Sequence, residues 1–119
     1  MTTITPTRDR IRALNDAVRA GLDRIALVHA TSACIAAIAK GEGLFDTALA
    51  ILTLRTAVRD FTFPADDRSE HDMGWLEVDD VRVMFKIDYY DPTLEWGSED
   101  PADPALTKRV LTIMLPSDY

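Results

Sequence analysis

Hydrophobic side chains in the first half of the chain recur with the period of an α-helix. Thr5 can serve as an N-cap and Pro6 as a first helical residue, because the N–H that proline lacks has no partner at that position. The helix predicted from there has its apolar positions at Ile11, Leu14, Val18, Leu22 and Ile25. A second helix is predicted after a break at residues 41–43, up to about Asp60, with apolar positions at Leu44, Ala48, Ile51, Leu52, Leu54 and Val58.

Two features around these helices are less regular. Residues 24–30 are largely apolar, and they either extend the first helix or form a short buried strand, since periodicity alone does not separate the two. We favour the strand. On the polar side of the first helix, Arg12 and Asp16 have the i, i+4 spacing of an ion pair.

After Asp60 the pattern changes to the alternation typical of β-strands. Residues 74–78 and 81–88 flank Asp79 and Asp80, a connection with the length of a tight hairpin turn. The predicted core positions on these and the later strand are Val83, Phe85, Ile87, Leu111, Ile113 and Leu115.

The last third of the chain predicts one further strand and a long loop. Residues 109–115 are apolar on both faces apart from Arg109 and Thr112, which favours a central position in the sheet. Residues 94–96 are interpreted as a short edge strand, and residues 98–104 as loop, because each of two Asp-Pro steps disfavours helix. Helices followed by strands predict an α+β fold, with two N-terminal helices on one face of a mostly antiparallel sheet of about four to five strands.

Length and composition predict one globular domain over residues 1–119, because two domains sharing 119 residues would each be too small. The single cysteine, Cys34, cannot form an internal disulfide, and its apolar surroundings are expected to raise the pKa of its thiol. The most apolar run, residues 25–39, is shorter than the roughly 20 residues of a membrane helix, and the N-terminus lacks the pattern of a signal peptide. We therefore expect a cytoplasmic protein without a membrane partner.

Charge is distributed unevenly along the chain. Residues 61–119 carry 14 acidic and 5 basic side chains, whereas residues 1–60 carry 6 and 8. Such a field repels nucleic acid and attracts basic partners. We therefore expect a protein partner with a basic surface and no direct binding of nucleic acid; the alternative is that the charge only maintains solubility.

Aromatic residues accompany the carboxylates in this half. Tyr and Trp provide a large contact area at low entropic cost, so Tyr89, Tyr90 and Trp96 are candidate anchors, unless they only close the edge of the sheet. If the strand continues, Tyr89 and Tyr90 point to opposite faces, and one of them is expected to be exposed. The complete set of candidate partner-binding residues is Asp79, Asp80, Tyr89, Tyr90, Asp91, Glu95, Trp96, Glu99 and Asp100.

Catalytic candidates are few. His71 stands between Glu70 and Asp72 and has the atoms for general-base work or metal ligation, to which Asp88 and Asp91 at a strand end can contribute. The spacing matches no established metal motif, so we predict no metal and no cofactor. The alternative is that His71 is a loop residue hydrogen-bonded to a neighbouring carboxylate.

Several segments resemble one family of sequences. They are residues 70–74, 85–91, 97–104 and 109–115, and the similarity extends over about residues 58–119 and includes residues 10–16. The family consists of short bacterial proteins of unknown function, found mostly on plasmids and other mobile elements. The resemblance implies that genomic setting and a single-domain architecture, and it implies no activity.

Three functional hypotheses follow. The first is an acidic interaction protein that binds a basic host protein, for example as a nucleic-acid mimic that inhibits a restriction or CRISPR-type defence nuclease. The second is a small metal-dependent hydrolase that uses His71, Asp72, Asp88 and Asp91. The third is a regulatory partner of another element-encoded protein, recognised through the Arg-rich first helix. The oligomeric state is left open.

Overall fold

Residues 7–119, which the computed structural model describes, form three α-helices and a four-stranded sheet. The elements in chain order are α1 (Thr7–Arg19), β1 (Leu27–Ala30), α2 (Ser32–Ile38), α3 (Leu44–Asp60), β2 (Met73–Val78), β3 (Val81–Tyr90), β4 (Lys108–Met114) and a 3₁₀ turn (Pro116–Asp118). The α+β class is therefore confirmed. The predicted cap at Thr5 and Pro6 lies outside the described residues.

The sheet has the strand order β1-β4-β3-β2, which places β4 in its interior as predicted. β3 pairs antiparallel with both β2 and β4, but β1 pairs parallel with β4. The sheet is thus mixed, and the finer expectation of a mostly antiparallel arrangement is only partly met. The parallel pair joins strands far apart in the chain, and neither strand carries a local signal of the other's direction.

The core lies on the side of the sheet that faces the helices. Of the predicted core positions, Leu115 is half-buried against the core, and the other five, on β3 and β4, are buried. All three helices contribute to the same cluster, through Val18, Cys34, Ile38, Ala50, Leu54 and Val58. Phe85 lies at the centre, with its ring centroid 5.5 Å from that of Phe61 and 6.2 Å from that of Phe63.

The first helix ends earlier than its hydrophobic series predicts. Gly21 adopts a left-handed φ of +76°, its N–H donates to Val18 O, and the N–H of Leu22 donates to Ala17 O. This pair of bonds is a Schellman motif, which closes a helix at a glycine. Leu22 and Ile25 consequently lie beyond α1 and are exposed, so their predicted place on the helix was wrong.

A third helix, α2, lies in the segment between the two predicted helices. It starts at the N-cap Thr31, whose side chain accepts a hydrogen bond from the N–H of Cys34. Residues 24–30 do contain a strand, β1, but this strand lies at the edge of the sheet and is not buried.

The bounds predicted for the second helix match α3, but its buried face differs from the prediction. Leu44 and Leu52 are exposed, whereas Ala50, Leu54 and Val58 are buried. The helix is apolar around most of its circumference, so its hydrophobic period does not determine which side meets the sheet.

The predicted hairpin is confirmed. Val78 pairs with Val81, and Asp79 and Asp80 between them have φ values of +49° and +66°. Positive φ at both central residues is the conformation of a type I′ turn, which aspartate tolerates better than most residues. Residues 94–96 form no strand; one bridge, between Tyr90 and Gly97, takes its place.

Candidate partner-binding site

The connection between β3 and β4, residues 91–107, is acidic throughout. It contains no lysine or arginine, and its five carboxylates belong to Asp91, Glu95, Glu99, Asp100 and Asp103. Glu95, Glu99 and Asp100 are exposed. We call residues 91–107 the acidic loop.

Asp91 organises the first part of the acidic loop. Its Oδ1 accepts hydrogen bonds from the Thr93 hydroxyl at 2.9 Å and from the N–H groups of Glu95 and Trp96 at 3.1 and 3.4 Å. Its own N–H donates to Trp96 O at 2.8 Å, and Leu94 adopts the left-handed φ that this tight turn requires. Burial raises the pKa of Asp91, but these hydrogen bonds outweigh burial and the net shift is downward.

This turn holds Trp96 with its side chain exposed to solvent. Its backbone is held on both sides by Asp91, whereas its side chain remains exposed, with 73% of the residue surface accessible. An exposed tryptophan on an ordered backbone loses little conformational freedom on binding. Trp96 is therefore the candidate anchor with the most exposed side chain of the three aromatic residues.

The second part of the acidic loop is ordered by hydroxyl groups. The buried Thr107 hydroxyl donates to Asp100 O at 2.9 Å and lies 2.7 Å from the Ser98 hydroxyl, which accepts from the Asp100 N–H at 3.2 Å. The carboxylate of Asp100 accepts from the N–H of Ala102. Glu95 and Glu99 thus extend from a loop of defined shape.

The two tyrosines of β3 alternate between the faces of the sheet, but both are half-buried, so the expectation that one of them is exposed was wrong. The Tyr89 hydroxyl donates to Glu70 Oε1 at 2.9 Å and accepts from Asn15 Nδ2 at 2.7 Å. Burial raises the pKa of Tyr89. Tyr90 points to the opposite face and is half-buried. The Tyr89 hydroxyl is therefore engaged inside the protein, whereas its carbonyl accepts from the N–H of Ser98 in the acidic loop at 3.0 Å.

The structure does not bring Asp79 and Asp80 to the acidic loop. They turn the hairpin at the start of β3, whereas Asp91 follows its end, and ten residues at about 3.3 Å each separate the two by roughly 30 Å. The predicted set of binding residues is thus divided between two ends of the sheet.

His71 lies on the helix side of the sheet, between α1 and the chain leading into β2. Its ring stacks on Phe63 with a centroid distance of 3.9 Å, and Nδ1 lies 2.8 Å from Oδ1 of Asp16. Its Nε2 faces Oδ1 of Asp67 at 3.8 Å. The ring therefore has an orienting carboxylate, but its second nitrogen faces another carboxylate and not a hydroxyl or thiol nucleophile.

The acidic residues predicted to assist His71 lie elsewhere. Asp88 points to the other face of the sheet, where its Oδ2 is 2.7 Å from Lys86 Nζ and raises the pKa of that lysine. Asp72 continues the strand pairing through its carbonyl, which accepts from the N–H of Ile87 at 2.7 Å. Within residues 7–119, no three histidine, cysteine or acidic side chains are grouped so as to hold a metal ion.

One comparison with known sequences is positive. The model of the family described as "Protein of unknown function (DUF3768)" matches residues 31–118. The chain belongs to this family. No curated protein and no solved structure is significantly similar to the chain. The part of this DUF3768 protein that matches begins just before α2 and contains His71 and the whole acidic loop.

The sequence pattern does not predict one buried polar network of this DUF3768 protein. Asn15 and Arg109 are both buried, and Arg109 Nε donates to Asn15 Oδ1 at 2.7 Å. Burial lowers the pKa of Arg109, and its Nη2 donates to Pro101 O in the acidic loop. The available signal was Asn15 itself, a polar residue at helical spacing from Ile11 and Val18 on the apolar side of α1.

Two of the four arginines of α1 also bind inside the DUF3768 chain. Arg12 donates to the carbonyls of Asp67 and Ser69, and Arg19 donates to those of Val58 and Phe61. Asp16 pairs with Arg19 at 2.9 Å, so the predicted pairing of Asp16 with Arg12 was wrong. Both arginines thus hold the C-terminal end of α3 and the chain that follows it.

None of the helices within residues 7–119 has the length and apolar character needed to cross a membrane.

Proposed function

We propose that this protein is a binding protein whose acidic loop docks on a basic protein surface. The observation that carries the proposal is the exposed Trp96 on a hydrogen-bonded turn, with carboxylates and no cation in the same loop. Tryptophan is the residue type most enriched among the dominant contacts of protein interfaces.

Charge and anchor have separate roles in this proposal. At physiological ionic strength the Debye length is about 8 Å, so the loop carboxylates attract a partner only near contact. They accelerate association and orient the partner, but they provide little affinity by themselves. Affinity therefore depends on burial of the Trp96 indole. Because hydrogen bonds already order the loop, this burial costs little conformational entropy.

A groove of mixed polarity at the base of the acidic loop supports the same role. Its volume is about 300 Å³, and it is lined by Ile25, Pro92, Pro104, Ala105, Thr107 and Lys108. A groove of this size accepts one or two apolar side chains, so the surface fits a partner in which such side chains accompany lysine or arginine.

The finer part of the proposal concerns the class of partner. Carboxylates at close spacing can take the place of phosphates in a basic groove built for nucleic acid. We therefore propose, from the charge and from the resemblance to sequences of mobile elements, that the partner is the nucleic-acid-binding groove of a host defence nuclease of the restriction or CRISPR type.

The experiment is a quantitative pull-down from a lysate of the native host, with the bound proteins measured by mass spectrometry. Wild type is compared with Trp96→Ala and with the double variant Glu95→Lys/Glu99→Lys. A matched control, Asp66→Lys/Glu77→Lys, makes the same change in net charge at exposed positions outside the loop.

We expect a basic protein that is captured by the wild type and the control and lost from both loop variants. A partner that binds all four proteins equally contradicts the proposal. If the captured protein is a nuclease, its cleavage of DNA is then measured with and without wild type; undiminished cleavage contradicts the finer part alone.

A further inference from the structure

The side of α3 that faces away from the sheet is apolar and uncovered. Phe45, Leu49 and Leu52 lie on it at spacings of four and three residues, with 78%, 45% and 61% of their surfaces exposed. Thr56, which is half-buried, continues the same line one turn later. Single exposed apolar residues are ordinary, but a contiguous row of large ones marks an interaction surface. We call these four residues the outer face of α3.

We propose that the outer face of α3 binds a second copy of this chain, with the two helices antiparallel about a two-fold axis between residues 50 and 51. Such an axis places each residue of one helix opposite the residue of the second copy that lies equally far along the chain on the other side of the axis. Leu49 then meets Leu52 of the second copy, and Phe45 meets Thr56 of the second copy. A two-fold contact requires this self-complementarity, because one surface serves both subunits.

Charges at the two ends of α3 favour the same arrangement. Glu42 is exposed immediately before the helix. At the other end Arg55 and Arg59 are exposed, and although Arg59 pairs with Asp60 at 3.0 Å, that end keeps a net positive charge. Antiparallel packing brings the acidic end of each helix to the basic end of the other, and it also opposes the helix dipoles favourably. Parallel packing brings like charges together at both ends.

The size of the surface sets the strength of the dimer. α3 has 17 residues and is therefore about 25 Å long, so one helix pair buries less than the roughly 800 Å² per partner of a standard interface. We therefore expect a weak, concentration-dependent dimer.

Sedimentation equilibrium of the full chain, from low micromolar to submillimolar concentration, tests the proposal. The wild type is expected to shift from its monomer mass of 13.3 kDa toward twice that mass. Leu52→Glu is expected to remain monomeric throughout, because it places a carboxylate at the centre of the contact. Leu22→Glu, an equal change at an exposed position outside the helices, should dimerise like the wild type.

Circular dichroism melts of the two variants establish that both fold. A wild type that stays monomeric at every concentration overturns the proposal, whatever other partner the face has. A Leu52→Glu variant that dimerises like the wild type overturns it too, because the contact then lies elsewhere.

Disulfide trapping tests the direction of the helices. Phe45→Cys and Thr56→Cys, mixed under mild oxidation, are expected to form a cross-linked dimer that neither forms alone. The native thiol does not interfere, because Cys34 is buried. Cross-linking of Phe45→Cys to itself, or no cross-link in the mixture, contradicts the antiparallel pairing.

Discussion

Arg109 Nε donates a hydrogen bond of 2.7 Å to Oδ1 of Asn15, which joins the central strand of the sheet to α1 inside the protein. The amide nitrogen of Asn15 donates in turn to Glu70 O and to the Tyr89 hydroxyl. Three distant parts of the chain are thereby connected at one buried side chain. Through Pro101, Arg109 also holds the acidic loop against this network.

Asn15→Ala is expected to destabilise the fold, because it leaves the buried Arg109 Nε without its acceptor. A hydrogen bond to a charged group contributes about 1.5–3 kcal/mol, so we expect a loss of that size in the free energy of unfolding. Urea unfolding measures it. Arg10→Ala, at an exposed position of the same helix, is the control and should change stability little. Equal stability of the two variants would show that the network has no role in folding.

Phe85→Ala should cost about 3–5 kcal/mol, the usual penalty for removing a fully buried aromatic ring. Gly74→Ala should also destabilise, because a Cβ on Gly74 would lie 2.6 Å from the Phe85 ring. The two variants should not be additive, since a smaller residue 85 removes the closest contacts of this Cβ and leaves only the Phe61 ring at 3.0 Å. Gly97→Ala, where the nearest atom is 4.0 Å away, is the control. Strict additivity would contradict the close packing of residues 74 and 85.

Stability should fall with increasing pH on the alkaline side. Burial, with a smaller effect of Asp118, raises the pKa of the Cys34 thiol from 9.0 to about 11. The folded state thus holds this proton more tightly than the unfolded chain, so the contribution is complete below about pH 9 and is lost as pH rises toward 11. Urea midpoints of wild type and Cys34→Ser between pH 8 and pH 11 measure it. The serine variant should show the shallower decline, and identical slopes would contradict the assignment.

Order in the acidic loop should depend on the Asp91 carboxylate. Its pKa is lowered in the folded state, so its stabilising effect is present at neutral pH and is lost as pH falls through that lowered value. Asp91→Ala should therefore loosen residues 93–96 at neutral pH, whereas Asp91→Asn keeps an acceptor oxygen and should retain much of the order. NMR order parameters of the Glu95 and Trp96 amides measure the difference. If the two amides in Asp91→Ala keep the order parameters of the wild type, another contact holds the turn.

Local patterns were sufficient for part of the fold. The hairpin at Asp79 and Asp80 and the burial of Phe85 follow from alternation and turn length over a few residues. The interior position of β4 follows from its apolar character on both faces. These features depend on neighbours in the sequence, so they can be predicted from it.

Other features depend on contacts between distant residues. The parallel pairing of β1 with β4 and the hydrogen bond from Arg109 to Asn15 join positions more than 80 residues apart. Packing against the sheet determines which side of α3 is buried, because the helix itself is apolar nearly all round. For such features a single sequence has no local signal.

The candidate site shows the same division. The sequence indicates that the chain around Trp96 is acidic and aromatic, and this is where the structure has an exposed indole. It does not indicate that Asp91 closes a turn beneath Trp96, nor that Asp79 and Asp80 lie at the far end of the sheet. Both depend on how β3 is placed between its neighbours.

The central claim is that the acidic loop binds a basic protein through Trp96, and binding kinetics with the captured partner test it most directly. Surface plasmon resonance over a range of salt concentrations gives both rates. Glu95→Lys/Glu99→Lys should slow association and flatten its salt dependence, whereas Trp96→Ala should speed dissociation by roughly tenfold or more, equivalent to about 1.4 kcal/mol. Rates and salt dependence equal to those of the wild type in both variants would contradict the claim.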